Sequence, residues 1–161
     1  GRPRRLFAAP AERPGGDRGY DGAVTMLSYA SLQRLREVAG AEGPVDPRRF
    51  RMSIGIEGAG PHEEDDWIGR RVRVGTALVE VAEHVGRCAV TTRNPDSGVV
   101  DFRTLHHLAA YRDGIESLEK LPFGVYGRVL EEGEVAVGDP VVPVGAGVSG
   151  KGQLSGAEEG S

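Results

Sequence analysis

Cys88 is the sole cysteine in 161 residues, so no intrachain disulfide can form and packing alone must hold the core, as suits a reducing compartment. Aromatic residues are scarce, at 6%. No apolar run approaches the roughly 20 residues that a membrane-spanning helix needs. Positive charge is not in excess either: 20 Lys and Arg face 24 Asp and Glu, for a formal charge of −4. A domain-wide basic field for gripping nucleic acid is therefore missing. The opening Gly1-Arg2-Pro3-Arg4-Arg5-Leu6 is basic, but no apolar segment follows it, which argues against a secretory signal. These absences lead us to expect a cytoplasmic protein that partners neither nucleic acid nor membrane.

Common site motifs are missing as well. There is no Walker-type phosphate loop, no Gly-x-Gly-x-x-Gly between strand and helix, and no Gly-x-Ser-x-Gly elbow. His62, His84, His106 and His107 form no zinc pattern, since adjacent histidines on a helix point about 100° apart and no cysteine pair accompanies them. No pyridoxal phosphate site is expected.

Glycine, by contrast, is abundant, at 25 residues, and it concentrates at the ends. Residues 1–19, mixing Arg, Pro and Gly, and the Gly-rich residues 145–161 bury too little to order themselves and read as tails. Hydrophobic periodicity marks residues 20–144 as one domain. Within it, Ser28 can cap a helix over residues 29–39, with Leu32, Leu35 and Ala39 on one face and Gly40 as its stop. A second helix is expected over residues 102–112, with Phe102, Leu105, Leu108 and Ala109 on one face and His106 and Tyr111 off it. The rest reads as short strands around Ile54 to Ile56, Val72 to Val74, Leu78 to Val85, Cys88 to Thr92, Val125 to Leu130, Val135 to Val137 and Val141 to Val144. Many short strands with two separate helices predict a mainly β, barrel-like fold.

Two clusters could carry chemistry. In Gly86-Arg87-Cys88-Ala89-Val90-Thr91-Thr92 an arginine adjoins the cysteine, and a nearby cation favours the thiolate that ligates metals. A lone cysteine alternating with Val90 behaves most often, however, as a small buried hydrophobe. In Asp46-Pro47-Arg48-Arg49-Phe50-Arg51, three arginines could hold a phosphorylated ligand through their planar donor forks. They could also form a solvated charged face beside Glu63, Glu64, Asp65 and Asp66.

Four segments resemble, in order, the MOSC domains (molybdenum cofactor sulfurase C-terminal), and in particular the branch containing the mitochondrial amidoxime-reducing component. Asp21 to Leu32 is similar to the family's strand and Ser-x-Ala-Ser-Leu helix start. Asp46 to Gly58 is similar to its Arg-Phe-Arg-Pro-Asn segment, with Met52-Ser53 standing where the family has Pro-Asn, and Glu64-Asp65-Asp66-Trp67 follows as its acidic-Trp signature. Arg87 to Gly98 resembles its cysteine strand and Pro-Asp-Thr-Gly turn, and Pro122 to Val141 its closing strands. The resemblance implies a MOSC-type β-barrel-like domain that binds the molybdenum cofactor (molybdopterin). It implies Cys88 as the molybdenum ligand and catalytic residue, and Arg51, Ser53 and Arg87 as further cofactor contacts.

The activity so implied is reduction of N-hydroxylated small molecules, with an electron-donor protein or an N-terminal β-barrel domain as partner. Two alternatives accompany it: a carrier of cofactor or persulfide sulfur without turnover, and a non-catalytic interaction module of the same fold with Cys88 buried and inert.

Overall fold

The computed structural model describes residues 5–7 and 23–144. Seven strands and two helices follow one another as β1 (Arg5–Phe7), β2 (Ala23–Ser28), α1 (Tyr29–Ala39), β3 (Ile54–Glu57), β4 (Arg71–Val74), β5 (Ala77–His84), α2 (Thr104–Arg112), β6 (Val125–Glu131) and β7 (Val141–Val144). Single 3-10 turns occupy Pro47–Phe50, Glu63–Trp67 and Ala89–Thr92. The fold is thus mainly β with two helices. All strands belong to one sheet, in the order β1-β3-β2-β6-β5-β4-β7, which curls as a half-barrel.

Every pairing is antiparallel except β2 with β3, which run parallel because α1 carries the chain back over the sheet between them. Alternation along β2 divides the core in two. Met26 faces one cluster with Ile54, Ile56, Trp67, Val72, Val74, Val79, Val81 and Val125. Leu27 faces the other, where Leu32 and Leu35 of α1 meet Phe50, Leu108 and Phe123. The expected α1 is found with both its punctuation marks: the Ser28 side chain accepts from the Ser31 N–H, and Gly40 ends the helix in the left-handed region at φ 63°.

Arg5–Phe7, inside the segment expected to be tail, pairs with β3. The remainder of residues 1–19, and all of 145–161, lie outside the described residues. Three expectations are corrected. Residues 135–137 form no strand: the stretch before Pro140 turns back on the β4–β5 hairpin, where Thr76 N–H donates to Glu134 O at 3.1 Å and Glu134 N–H to Thr76 Oγ1 at 2.7 Å. The buried face of α2 is Thr104, Leu108 and Arg112, while Ala109 is exposed and Tyr111 packs against the core. Polar residues can take that face because each is bonded: Thr104 Oγ1 to Thr91 O, and Arg112 to Pro122 O and Asp65. The third correction concerns Cys88.

Candidate functional site

Cys88 was expected on a strand, yet it initiates the turn Ala89–Thr92. The two threonines explain the difference. Thr91 donates both its N–H (3.1 Å) and its Oγ1 (2.9 Å) to Cys88 O, and Thr92 Oγ1 donates to Ala89 O at 2.6 Å. Hydroxyls that bond the backbone three residues back offer it an alternative to a sheet ladder, and here they close a turn. α2 then packs beneath, with Thr104 Oγ1 donating to Thr91 O at 2.8 Å. Cys88 is left exposed, so the reading of it as a small buried hydrophobe does not hold.

Arg87 faces the other way and is buried. Its Nε and Nη2 donate to Phe123 O (2.9 and 2.6 Å), its Nη1 to Phe50 O (2.9 Å), and its guanidinium lies 5.1 Å from the Phe50 ring centroid. Nη2 also reaches Met52 Sδ at 3.0 Å. The approach depends on Gly124, whose φ is +85° and where a Cβ would meet Met52 Cε at 2.5 Å and Arg87 Nη2 at 3.4 Å. Arg87 thus ties the cysteine turn to the arginine-rich segment and to the start of β6.

The three arginines of that segment part company. Arg48 bridges Asp46 and Asp96 on the surface. Arg49 pairs with Asp101 at 2.8 Å. Arg51 ends the turn in the left-handed region at φ 50°, is exposed, and makes no side-chain hydrogen bond or ion pair among the described residues. Non-glycine residues rarely adopt that conformation, and doing so stores strain. Ser53, two residues on, is bound to β2: its N–H donates to Thr25 Oγ1 at 2.8 Å and its Oγ lies 3.1 Å from the same atom. The fold therefore brings all four expected site residues onto two adjoining segments. Cys88 and Arg51 face outward, and Arg87 and Ser53 bond within the chain.

Behind them lies a buried polar cluster that the sequence did not announce. Glu64 is fully buried, and its Oε1 accepts from Ser28 N–H at 3.2 Å and Ser31 Oγ at 2.8 Å. Burial pushes its carboxyl above the usual range, against those hydrogen bonds. Burial also lowers His62, to about 4, so its ring is neutral where Nε2 meets Tyr111 Oη at 3.0 Å. For Asp65, burial is outweighed by His84 and Arg112, and the carboxyl is held below its usual range. Arg112 donates to Asp65 Oδ2 at 2.7 Å. His84 Nε2 faces Asp65 Oδ1 at 3.4 Å, long for a hydrogen bond, so the attraction is chiefly electrostatic; Asp65 raises His84 in return. The visible signal was the acidic run beside Trp67 together with two serines at the helix start, which read singly as surface charge and a cap.

A turn that presents a thiol, locked by two threonines and an inward arginine, is accompanied by a match to the family model described as MOSC domain over residues 11–142. The chain belongs to the MOSC domain family. This MOSC domain is 35% identical over 127 residues to mitochondrial amidoxime-reducing component 1 of Xenopus laevis, covering 75% of this chain and 36% of that protein. To mitochondrial amidoxime reducing component 2 of Homo sapiens it is 39% identical over 124 residues, covering 73% of this chain and 36% of that protein. To molybdenum cofactor sulfurase of Oryza sativa subsp. japonica it is 34% identical over 131 residues, covering 73% of this chain and 15% of that protein. The chain thus spans about a third of the length of the amidoxime-reducing relatives. In fold it is similar to YiiM from Geobacillus stearothermophilus, with a TM-score of 0.57 at 24% identity, covering 84% of this chain and 61% of that one. No helix among the described residues is long and apolar enough to cross a membrane.

Proposed function

We propose that this MOSC domain binds the molybdenum cofactor, with the Cys88 thiolate as protein ligand to molybdenum and Arg51 as the contact to the cofactor's phosphate. The observation that carries the reading is the pairing of an exposed thiol on a hydrogen-bonded turn with an exposed guanidinium that no other side chain occupies among the described residues. The donor set fits the group: a thiolate is a soft ligand, and a guanidinium matches phosphate through its planar fork. Arg87 and Ser53, whose polar atoms bond within the chain, hold the two segments on which the contacts sit. Bound, the cofactor supplies the redox chemistry that protein side chains lack. The chain's own part is to fix that group, orient it toward the open face and leave that face accessible to a small molecule. The names of its amidoxime-reducing relatives favour reduction of N-hydroxylated compounds, with electrons supplied by a partner protein or a further domain. The single cysteine favours work in a reducing compartment, the cytoplasm in our reading.

A carrier of cofactor or sulfur is the second reading, favoured by the exposure of Cys88 and by the relative named a sulfurase. One preparation from a cofactor-synthesising host separates the two. Elemental analysis should find molybdenum approaching one atom per chain, and Cys88→Ala should reduce it to background. Loaded protein that reduces an N-hydroxy compound with a chemical electron donor supports the reductase; loaded protein that does not supports the carrier. Absence of molybdenum after reconstitution with free cofactor overturns both.

A further inference from the structure

The proposed site is built on two loops that the sheet does not join. The β2–β3 register begins at Ile54, after Arg51, and the β5–β6 register ends at His84, before Cys88. Side chains must set the relation between the two loops. On the near side of the cysteine turn, Arg87 reaches Phe50 O. On the far side, the reach comes from the opposite direction. Arg49 Nη1 donates to Arg93 O at 2.9 Å and its Nη2 pairs with Asp101 Oδ1 at 2.8 Å. Its guanidinium carbon lies 5.4 Å from the Phe102 ring centroid, and its side chain is only 9% exposed. Asp101 is itself fixed, since Asn94 Nδ2 donates to its Oδ2 at 3.0 Å and its own N–H donates to Thr92 O at 3.1 Å. Residues 88–93 are therefore gripped at both ends by the segment that ends in Arg51.

We propose that Arg49 is a positioning residue: it holds the Cys88 turn against the Arg51 segment and so sets the separation that one ligand must span to touch both. This rests on the cofactor reading above. Arginine suits the task because two donors must diverge to a carbonyl and a carboxylate while the plane stacks on a ring, which a single ammonium cannot do. Arg48 supplies the contrast. Its partner Asp96 is 74% exposed, and exposed pairs contribute little.

The experiment uses the full chain with Arg49→Ala, Arg49→Lys and Asp101→Asn, and Arg48→Ala as control. Amide hydrogen exchange is followed at Thr91 and Arg93, whose N–H groups bond inside the turn, and at Val81, whose N–H bonds to Arg70 O. Arg49→Ala should speed exchange at Thr91 and Arg93 at least tenfold and leave Val81 unchanged, with Arg49→Lys between it and the unaltered chain. Molybdenum should be lost from loaded protein several-fold faster on dialysis. Equal acceleration in turn and sheet means a merely structural role and overturns the proposal, as does no acceleration anywhere. A loosened turn that retains molybdenum like the unaltered chain overturns it too. If the unaltered chain holds no molybdenum, the cofactor reading falls and the exchange result decides whether Arg49 clamps the turn. Should Arg49→Ala fail to fold, Asp101→Asn removes one partner charge at a more exposed side chain and must still show the local effect.

Discussion

Arg87 and Cys88 are neighbours in sequence, yet one is buried and hydrogen-bonded to backbone carbonyls while the other faces solvent. Adjacency to a cation was visible in the sequence; its direction was not, because only the fold supplies the Phe50 and Phe123 carbonyls that draw the guanidinium inward. Arg51 carries a cost that its role would explain. Arg51→Gly and Arg51→Ala remove the same proposed phosphate contact, but only glycine relieves the left-handed backbone. We expect the glycine variant to be about 1 kcal/mol more stable than the alanine variant, checked by urea midpoints at equal denaturant dependence, with both losing molybdenum to the same extent. His62 gives the pH prediction. Its folded value of about 4 lies below the ordinary histidine value of 6.5, so the folded state binds fewer protons between those values. Its contribution is full above the unfolded value and is lost as pH falls from 6.5 toward 4. Glu64, with its raised carboxyl, acts in the opposite sense, since acid relieves its buried charge. His62→Gln should therefore flatten the loss of stability between pH 6.5 and 4; an unchanged slope would show that His62 does not contribute to it.

The helices and turns differ in how openly the sequence wrote them. α1 was legible because Ser28 and Gly40 bracket an apolar stripe, so local and tertiary preferences agree. For α2 the extent was close but the face was only partly right: Leu108 is buried and Phe102 packs against the core as expected, while Ala109 is exposed. Thr104 and Arg112 are buried at positions a hydrophobic pattern assigns to solvent, and only their long-range bonds to Thr91, Pro122 and Asp65 make that burial tolerable. The cysteine turn was read as a strand because Cys88, Val90 and Thr92 alternate as a strand does; the hydroxyl bonds that override the pattern are conformational and leave no period. Thr91→Val tests this element. It keeps the shape and removes the Oγ1 bond to Cys88 O, while Thr91 itself is buried. A loss of about 1 kcal/mol is expected, together with faster alkylation of Cys88 by iodoacetamide as the turn opens. Unchanged alkylation would mean that the second threonine and α2 suffice.

At the scale of the whole molecule, β1 and β7 end the strand order among the described residues. Residues 1–19 were read as tail from composition, and nothing in three residues of strand at Arg5–Phe7 carries a recognisable period; the partner strand β3 is what orders them. Deleting residues 1–7 should uncover the β3 edge, whose free N–H and C=O groups template further pairing. Light scattering should then report concentration-dependent association, and a strictly monomeric deletion variant would show that β1 does not protect this edge. The same sheet places β2 beside β6, with Met26 opposite Val125, so one of its central pairings joins the two ends of the domain. Phe123 O, the acceptor that turns Arg87 inward, also comes late in the chain. A nascent polypeptide leaving the ribosome presents Cys88 long before the strand that completes its surroundings has been made. Insertion of the proposed pterin must therefore wait until β6 has been made, and a chain stalled before residue 125 would expose its thiol with nothing arranged to receive a metal.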